Sequence, residues 1–488
     1  MADSKLSFSH GGVTALLLLA GCASPPDLGP PPLPRSASSY AANMLDGGTS
    51  NAWPATDWWR AYRDPELTRL IELGLAGAPD LAAAAARLRQ AQGYGRQAGA
   101  ALLPRVDADA SAGGAKQSYN NGIPAAFVPK GWQDTATIDG AVSLDLDLWG
   151  RNRAALRAAR RETDAAALEL AQARLVLSTS IADAYADLAR LYAERAVQVR
   201  ARDIRIATQA LVARRVKDGL DTRAEQRQAD AAVPQSAGDI AATDETIALT
   251  RNRIAALLGL GPDAGCAIVP PAVAPAAQML PADVTTDLIG RRPDVAAARA
   301  RADAASQRVK SARAAFYPDI SIKALVGVQS LGLDTLLKSG SGYGNAGAAM
   351  SLPIFHGGEL AGSYTNARGR FDEAVATYDG TVATAFREVA DAVASRDALA
   401  VRLDQGRRAL VASRDGYGIA ERRYAGGLST YLDVLSAQSR MLQDERTLAD
   451  LQARAFTLDV ALIRALGGGF HAGDTAARLP NGKDIFHG

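Results

Sequence analysis

The chain has 488 residues, of which 48% are hydrophobic and 22% charged, and Lys plus Arg number 54 against 52 for Asp plus Glu. This balance leaves no basic excess for nucleic acid, so we exclude nucleic-acid partners. The two cysteines and four histidines lie far apart in the sequence, which predicts no metal site, no cofactor and no disulfide framework.

Residues 1–21 have the pattern of a signal peptide. The apolar run 13–20 is too short for a transmembrane helix, which needs about 20 residues, but it suits the hydrophobic region of a secretory signal. It ends in Leu19-Ala20-Gly21-Cys22, which resembles the lipobox of bacterial lipoproteins. The resemblance implies cleavage before Cys22, acylation of Cys22 and, because Ala23 follows instead of Asp, sorting to the outer membrane. A plain signal peptide with an incidental cysteine is the alternative.

Residues 22–65 are expected to form a lipidated tether that ends in contacts near mid-height of the molecule. Residues 24–36 are rich in Pro and Ser, which favours an extended tether. The tryptophans at 53, 58 and 59 are expected to pack against the folded body, with a position near lipid headgroups as the alternative.

The rest of the chain contains an internal repeat. An Ala-rich helical segment opens at Pro79 and again at Pro293, and each closes at a proline 25 residues later. Related motifs recur at 146–150 and 352–357, and at 214–220 and 422–428. The offsets of 206 to 214 residues predict two structural repeats, each with a short helix, two strands, a long helix, a turn and a medium helix.

The repeats divide into matching segments. We expect a first helix in 66–104 and 284–317, a strand pair in 105–149 and 318–356, and a helical pair in 150–258 and 357–466. A linker at 259–283 and a tail at 467–488 are expected to form a belt near mid-height.

The strand segments alternate apolar and polar residues. One strand is expected to run through Leu146 and Leu148, and its counterpart through Leu352 and Ile354. This period of two predicts one apolar and one polar face, as in a barrel strand between lipid and water. A soluble sandwich would show the same pattern.

The helical pairs contain two helices of unusual length. Residues 151–218 have no proline and no helix-ending glycine, which predicts a helix of roughly 100 Å at 1.5 Å per residue, and 357–425 matches it in length. Apolar or small residues recur seven apart, as in a coiled coil. Each pair of shorter helices sums to about one long helix, so we expect the short helices to stack end to end beside it.

Four strands are too few to close a barrel, for which about eight is the practical minimum, and open edges are not tolerated in lipid. Transmembrane strands would therefore require several copies of the chain. Three copies would supply twelve strands and a hollow tube of long helices. Two copies would supply eight strands around a filled lumen, and physics alone does not choose between them.

These features together resemble the TolC-type outer-membrane factor family, and within it the NodT/OprM-like efflux lipoproteins. The resemblance covers about residues 22–470 and includes Leu-Asp-Leu-Trp-Gly at 146–150 and Tyr-Ala-Gly-Gly-Leu-Ser-Thr-Tyr-Leu-Asp-Val-Leu at 424–435. It implies an α+β membrane protein, a homotrimer whose transmembrane β-barrel takes four strands per protomer and twelve in all. The barrel would continue into a long antiparallel α-helical coiled-coil barrel in the periplasm.

The resemblance also implies a function. The protein would be a passive, non-enzymatic channel of a tripartite efflux system, lipid-anchored in the outer membrane, and it would export drugs or other small molecules. Its partners would be a periplasmic adaptor (membrane fusion protein), an inner-membrane pump and outer-membrane lipid. The alternatives are the outer-membrane component of a type I protein secretion system and, in a different class, a lipid-anchored periplasmic coiled-coil scaffold.

Two short motifs are expected at the helix turns farthest from the barrel. The resemblance implies that Gly219-Leu220 and Gly427-Leu428 contact the adaptor, because the family binds its adaptor at these tips. Glycine permits the positive φ of a tight turn. Turn glycines without any partner are the alternative.

Three further residues are assigned to a periplasmic gate. Asp433 matches the family's acidic ring at the constricted mouth, although Ser436 stands where relatives can carry a second acid. Glu225 is related to Asp433 by the 208-residue offset, and Tyr424 precedes the second tip, where its hydrogen bonds would hold the mouth shut. Ordinary solvated or packed helix residues are the alternative for all three.

Nothing in the sequence predicts an enzyme. Residues 342–347 spell GxGxxG, but they precede a strand and open no helix, which excludes a dinucleotide site. Cys266 is expected to be a small buried residue.

Overall fold

The computed structural model describes residues 24–40, 53–271 and 284–471. Within these residues the first half contains α1 (Pro65–Gly77), α2 (Pro79–Ala100), β1 (Arg105–Ala115), β2 (Gln133–Asp145), α3 (Arg151–Lys217), α4 (Arg223–Leu257) and α5 (Pro262–Cys266). The second half contains α6 (Val284–Arg291), α7 (Pro293–Ala314), β3 (Asp319–Leu331), β4 (Gly342–Ser351), α8 (Glu359–Ala425) and α9 (Tyr431–Ala465). Cys22, the whole signal segment, most of the tail and part of the linker lie outside the described residues.

Both halves show the same order of a helix, two strands, a long helix and a medium helix. The long helices α3 and α8 have 67 residues each, or roughly 100 Å at 1.5 Å per residue. The expected fold class of long antiparallel helices joined to a small antiparallel sheet is confirmed. None of the described helices combines the length and the apolar run that crossing a membrane requires.

The four strands form one antiparallel sheet in the order β1-β2-β3-β4. Its register places Val106 beside Val142, Val142 beside Ala324 and Ala324 beside Ala346, so one face is apolar across all four strands. On this face Val106 is 71% exposed and Val326 is 73% exposed. Within the described residues, β1 and β4 each have a strand neighbour on one side only.

Two strands end earlier than the alternation predicted. β2 ends at Asp145 and β4 at Ser351, so the apolar residues 146, 148, 352 and 354 lie beyond the sheet ladder. After β2 the chain turns at Asp147, whose φ is +46° and whose carboxylate accepts the backbone N–H groups of Asn152 and Arg153 at 2.8 and 2.9 Å. These bonds satisfy free N–H groups at the start of α3, so the chain enters the helix instead of extending the strand.

The helices form a wall four helices wide. Near the sheet their order is α2, α3, α7, α8, and farther from it the order is α4, α3, α9, α8. The pair α2 and α4 therefore shares one side of α3, and the pair α7 and α9 lies between α3 and α8. This arrangement agrees with the expected end-to-end stacking of short helices beside long ones.

The main core lies near mid-height of the wall. Trp58 and Trp59 are buried there with α1 against α3 and α9, as expected for packing residues. Tyr62 donates to Asp459 at 2.6 Å, which ties this segment to α9. Cys266 contradicts the sequence interpretation, because its thiol is free and exposed at the end of the one-turn helix α5.

The described part of the tether lies along α8. The Arg368 guanidinium donates to the carbonyl oxygens of Gly29 and Pro30 at 3.1 and 2.5 Å, and Arg368 itself is buried. Further along, the ring of Tyr40 stacks on Phe386 at 6.1 Å between centroids. The tether is therefore fixed to one face of the wall at two places.

Candidate functional site at the helix tips

The two turns farthest from the sheet have the same geometry. Gly219 and Gly427 have φ of +76° and +75°, and Leu220 and Leu428 each donate a backbone N–H at 2.8 Å to a carbonyl five residues earlier. This is the pattern of a helix that ends on a left-handed glycine. The leucine side chains are 63% and 73% exposed, so each tip presents one apolar group to solvent. Contact with an adaptor stays a prediction.

Each tip is followed by a capping box. Thr222 donates its backbone N–H to Glu225 at 2.6 Å, and Thr430 donates its backbone N–H to Asp433 at 2.9 Å. In both cases the threonine hydroxyl in turn accepts from a backbone N–H of the first helical turn. The two acids thus have a local role that sequence reasoning missed, since they satisfy N–H groups at helix starts and face the positive helix end.

Both acids are exposed and readily ionised. Hydrogen bonds from the backbone and hydroxyl of Thr430 lower the pKa of Asp433 below its ordinary value. Hydrogen bonds from the hydroxyl and backbone of Thr222 lower the pKa of Glu225 in the same way. Each tip therefore holds a fixed negative charge in the first turn of its second helix. A gate role for either acid stays a prediction.

Tyr424 is fully buried and joins the two tips. Its hydroxyl donates to the Asp221 carboxylate in the first tip, and its backbone carbonyl accepts a hydrogen bond from Arg215 at 2.8 Å. Arg215 also pairs with Asp221 at 2.9 Å, and its guanidinium carbon lies 4.4 Å from the centre of the Tyr424 ring. We call these three residues the tip network. It links the end of α8 to the turn between α3 and α4.

The network stabilises the charged forms of Arg215 and Asp221. Burial disfavours the Asp221 carboxylate, but hydrogen bonds from Arg215 and Tyr424 outweigh this and leave its pKa below the ordinary value. Burial and the hydrogen bond to Asp221 raise the pKa of the Tyr424 hydroxyl, which therefore stays a donor. The hydrogen bond to Asp221 raises the pKa of Arg215. The network thus consists of an ionised Arg215 and an ionised Asp221, whose charges cancel, and of the uncharged Tyr424 hydroxyl, which donates to Asp221.

Sequence reasoning found Tyr424 but missed Arg215 and Asp221. The available signal was a difference between the repeats, because the 208-residue offset places Val216 opposite Tyr424 and Ser429 opposite Asp221. A residue type that is present at one tip and absent from the matching position of the other indicates a role specific to that tip.

An apolar cluster supports the network. Val212, Ala229, Tyr431 and Val434 pack with Tyr424, and the rings of Tyr424 and Tyr431 lie 6.1 Å apart. Across the described residues, no three His, Cys, Asp or Glu side chains are grouped as metal ligands would be. The tips thus combine the charged pair of the network with apolar contacts.

Comparisons with known proteins identify the kind of molecule. The family model described as outer membrane efflux protein matches residues 70–260 and 284–468. The fusaric acid resistance protein FusA of Burkholderia cepacia is 36% identical over 362 residues, which are 70% of this chain and 66% of FusA. The multidrug resistance outer membrane protein MdtP of Escherichia coli K12 is 31% identical over 431 residues, 87% of this chain and 88% of MdtP.

A solved structure agrees with these matches. The outer membrane protein VceC of Vibrio cholerae is 43% identical and superposes with a TM-score of 0.82. The superposition covers 86% of this chain and 100% of VceC. The similarity therefore extends over most of this chain and the whole of VceC.

Proposed function

The chain belongs to the outer membrane efflux protein family, and from this premise we propose that three copies form one conduit through the outer membrane and the periplasm. Efflux at the outer membrane is its function, and the members of its family are channel proteins, not enzymes. Family membership also removes the coiled-coil scaffold as an alternative. The oligomer, the partners, the anchor and the cargo are the proposed parts.

The sheet supports a proposal of several copies, and the open lumen that efflux requires favours three copies over two. Its four strands have two outer edges without a strand partner among the described residues, and its apolar face is exposed. A barrel needs about eight strands or more, and in lipid every edge must be paired. Three copies give twelve strands and an open lumen, which α3 and α8 would continue for roughly 100 Å into the periplasm.

We place the periplasmic mouth at the helix tips. The exposed Leu220 and Leu428 would contact a periplasmic adaptor, which would connect the conduit to an inner-membrane pump. Glu225 and Asp433 would contribute three carboxylates each around a threefold axis, and such rings attract cations. The tip network would keep the mouth closed because it holds two neighbouring tips together.

The N-terminal region supports a lipid anchor. Cys22 would carry acyl chains in the outer membrane, and two or more chains hold a protein stably where one does not. The described tether begins two residues later, at Ser24, and is fixed to α8 by Arg368. The anchor and the wall are thus joined by a short, docked segment.

The cargo is proposed from the relatives. FusA is named for resistance to fusaric acid and MdtP for multidrug resistance, which favours small molecules over polypeptides. The conduit itself would be passive, with energy supplied by the pump.

The test is complementation in a bacterium that lacks its own outer-membrane efflux channels. Expression of this chain with its cognate adaptor and pump should lower drug accumulation, and outer-membrane fractions should contain a heat-modifiable oligomer. Rescue of polypeptide secretion without rescue of drug efflux would instead identify a type I secretion component. A monomer absent from the outer membrane would refute the conduit.

A further inference from the structure

A basic crevice of about 820 Å³ opens on the helices just below the sheet. It is lined by all four helices that lie side by side there. The residues of interest are Arg87 and Tyr94 on α2, Arg151 on α3, Arg301 and Arg308 on α7, and Arg370 on α8. We call this site the arginine crevice.

The crevice lies on the concave face of the wall. The helices follow the order α2, α3, α7, α8, so α2 and α8 are the outermost of the four. Residues of both outermost helices line this one crevice, so the wall must curve around it. Arg368, two residues before Arg370 and therefore on the opposite side of α8, holds the tether. The tether and the crevice are thus on opposite faces, and closing such walls into a tube makes the concave face the lumen.

The crevice has an excess of positive charge. Five arginines and two glutamates line it. Arg301 pairs with Glu169, and Arg308 pairs with Glu162 at 3.0 Å. Within the described residues, the remaining arginines of the site have no carboxylate within 4.0 Å; they are Arg87, Arg151 and Arg370. Three guanidinium groups per chain therefore face the crevice without an acidic partner.

An aromatic ring accompanies these charges. Tyr94 is 62% exposed and lies two helical turns after Arg87, on the same face of α2. A guanidinium matches a carboxylate with two parallel hydrogen bonds, and an exposed aromatic ring offers a surface for the flat, apolar part of a ligand.

We propose that the arginine crevice binds small aromatic carboxylates on the lumen side of the conduit. The proposal rests on the proposed export path, because it takes the concave face to be the lumen. It names a class of cargo for which the conduit has a binding site of its own. Three copies would place nine unpaired arginines at one height of the tube, where they would concentrate such anions.

The test uses the full-length protein in planar bilayers, with sodium salicylate as the probe. At constant ionic strength, salicylate should reduce the chloride current of the wild-type channel. In Arg87→Gln/Arg370→Gln the reduction should be weaker, and the anion-to-cation permeability ratio should fall at least about threefold, because one unit charge roughly 6 Å away in water changes local ion concentration by about that factor.

The matched control is Arg160→Gln, which removes an exposed arginine of α3 outside the crevice. It should leave both measurements unchanged, and a shift equal to that of the double variant would overturn the proposal. Tyr94→Ala should weaken the salicylate effect while the permeability ratio stays the same, which tests the site even if the double variant does not insert. A wild-type channel that conducts but ignores salicylate would refute the crevice and leave the conduit intact. A protein that forms no channel either as wild type or as Tyr424→Phe, in which the tip network is weakened, would refute the conduit itself.

Discussion

Replacing Tyr424 with phenylalanine should weaken the contact between the two tips of one chain. The change removes only the hydroxyl that donates to Asp221, and the ring stays in its apolar cluster. A hydrogen bond to a charged group contributes roughly 1.5–3 kcal/mol. If opening separates the tips, each chain should open more easily by a factor of roughly 10 to 150, since about 1.4 kcal/mol is tenfold in an equilibrium.

The assay is the open probability of single channels in planar bilayers. Tyr431→Phe is the matched control, because Tyr431 is buried in the same cluster and its hydroxyl makes no contact with Asp221. Tyr424→Phe should open far more often than wild type, and Tyr431→Phe should not. Wild-type gating of Tyr424→Phe together with a lower unfolding temperature would show that the network stabilises the tip without closing the mouth.

Three further outcomes are expected. Acid should open the mouth only below about pH 3.8. The pKa of Asp221 lies below its ordinary value of 3.8, and the network is lost only as the pH falls through that pKa. Opening between about pH 5 and 6 would contradict this. Asp433→Ala should raise single-channel conductance, because it removes the carboxylates that would narrow the mouth, and unchanged conductance and ion selectivity would remove Asp433 from the gate. Cys22→Ser should abolish metabolic labelling with radiolabelled palmitate, and persistent labelling would place the acyl chain elsewhere.

The order and the lengths of the helices and strands could be predicted from the sequence, because the signals that mark these elements are local. Glycine marks the ends of α3 and α8, and a period of two marks the strands. The strand ends were less accurate, because hydrophobic alternation continues through Leu146 and Leu148 although the chain turns there. That turn depends on Asp147, a polar residue that an apolar pattern does not report.

The tip network could not be derived from local patterns. Arg215 and Tyr424 are separated by 209 residues, so their contact depends on how the two repeats pack. The predicted role of Asp433 was incomplete for a different reason. Its match to an acidic motif suggested a ring, whereas the spacing from Thr430 also fits a capping box, which is a purely local structure.

If the tips form the proposed mouth, the asymmetry of the repeats would let one hydroxyl per chain affect the whole mouth. By the 208-residue offset, the counterpart of the Arg215–Asp221–Tyr424 network would consist of Arg423 and Ser429 of one chain and Val216 of the next. Serine cannot replace the carboxylate and the valine side chain has no hydrogen-bond donor, so this second network would not form between neighbouring chains. In the proposed ring, contacts between tips would therefore alternate between an ion-paired type within a chain and a weaker type between chains. Resistance to opening would be concentrated in three equivalent networks, each of which depends on Tyr424.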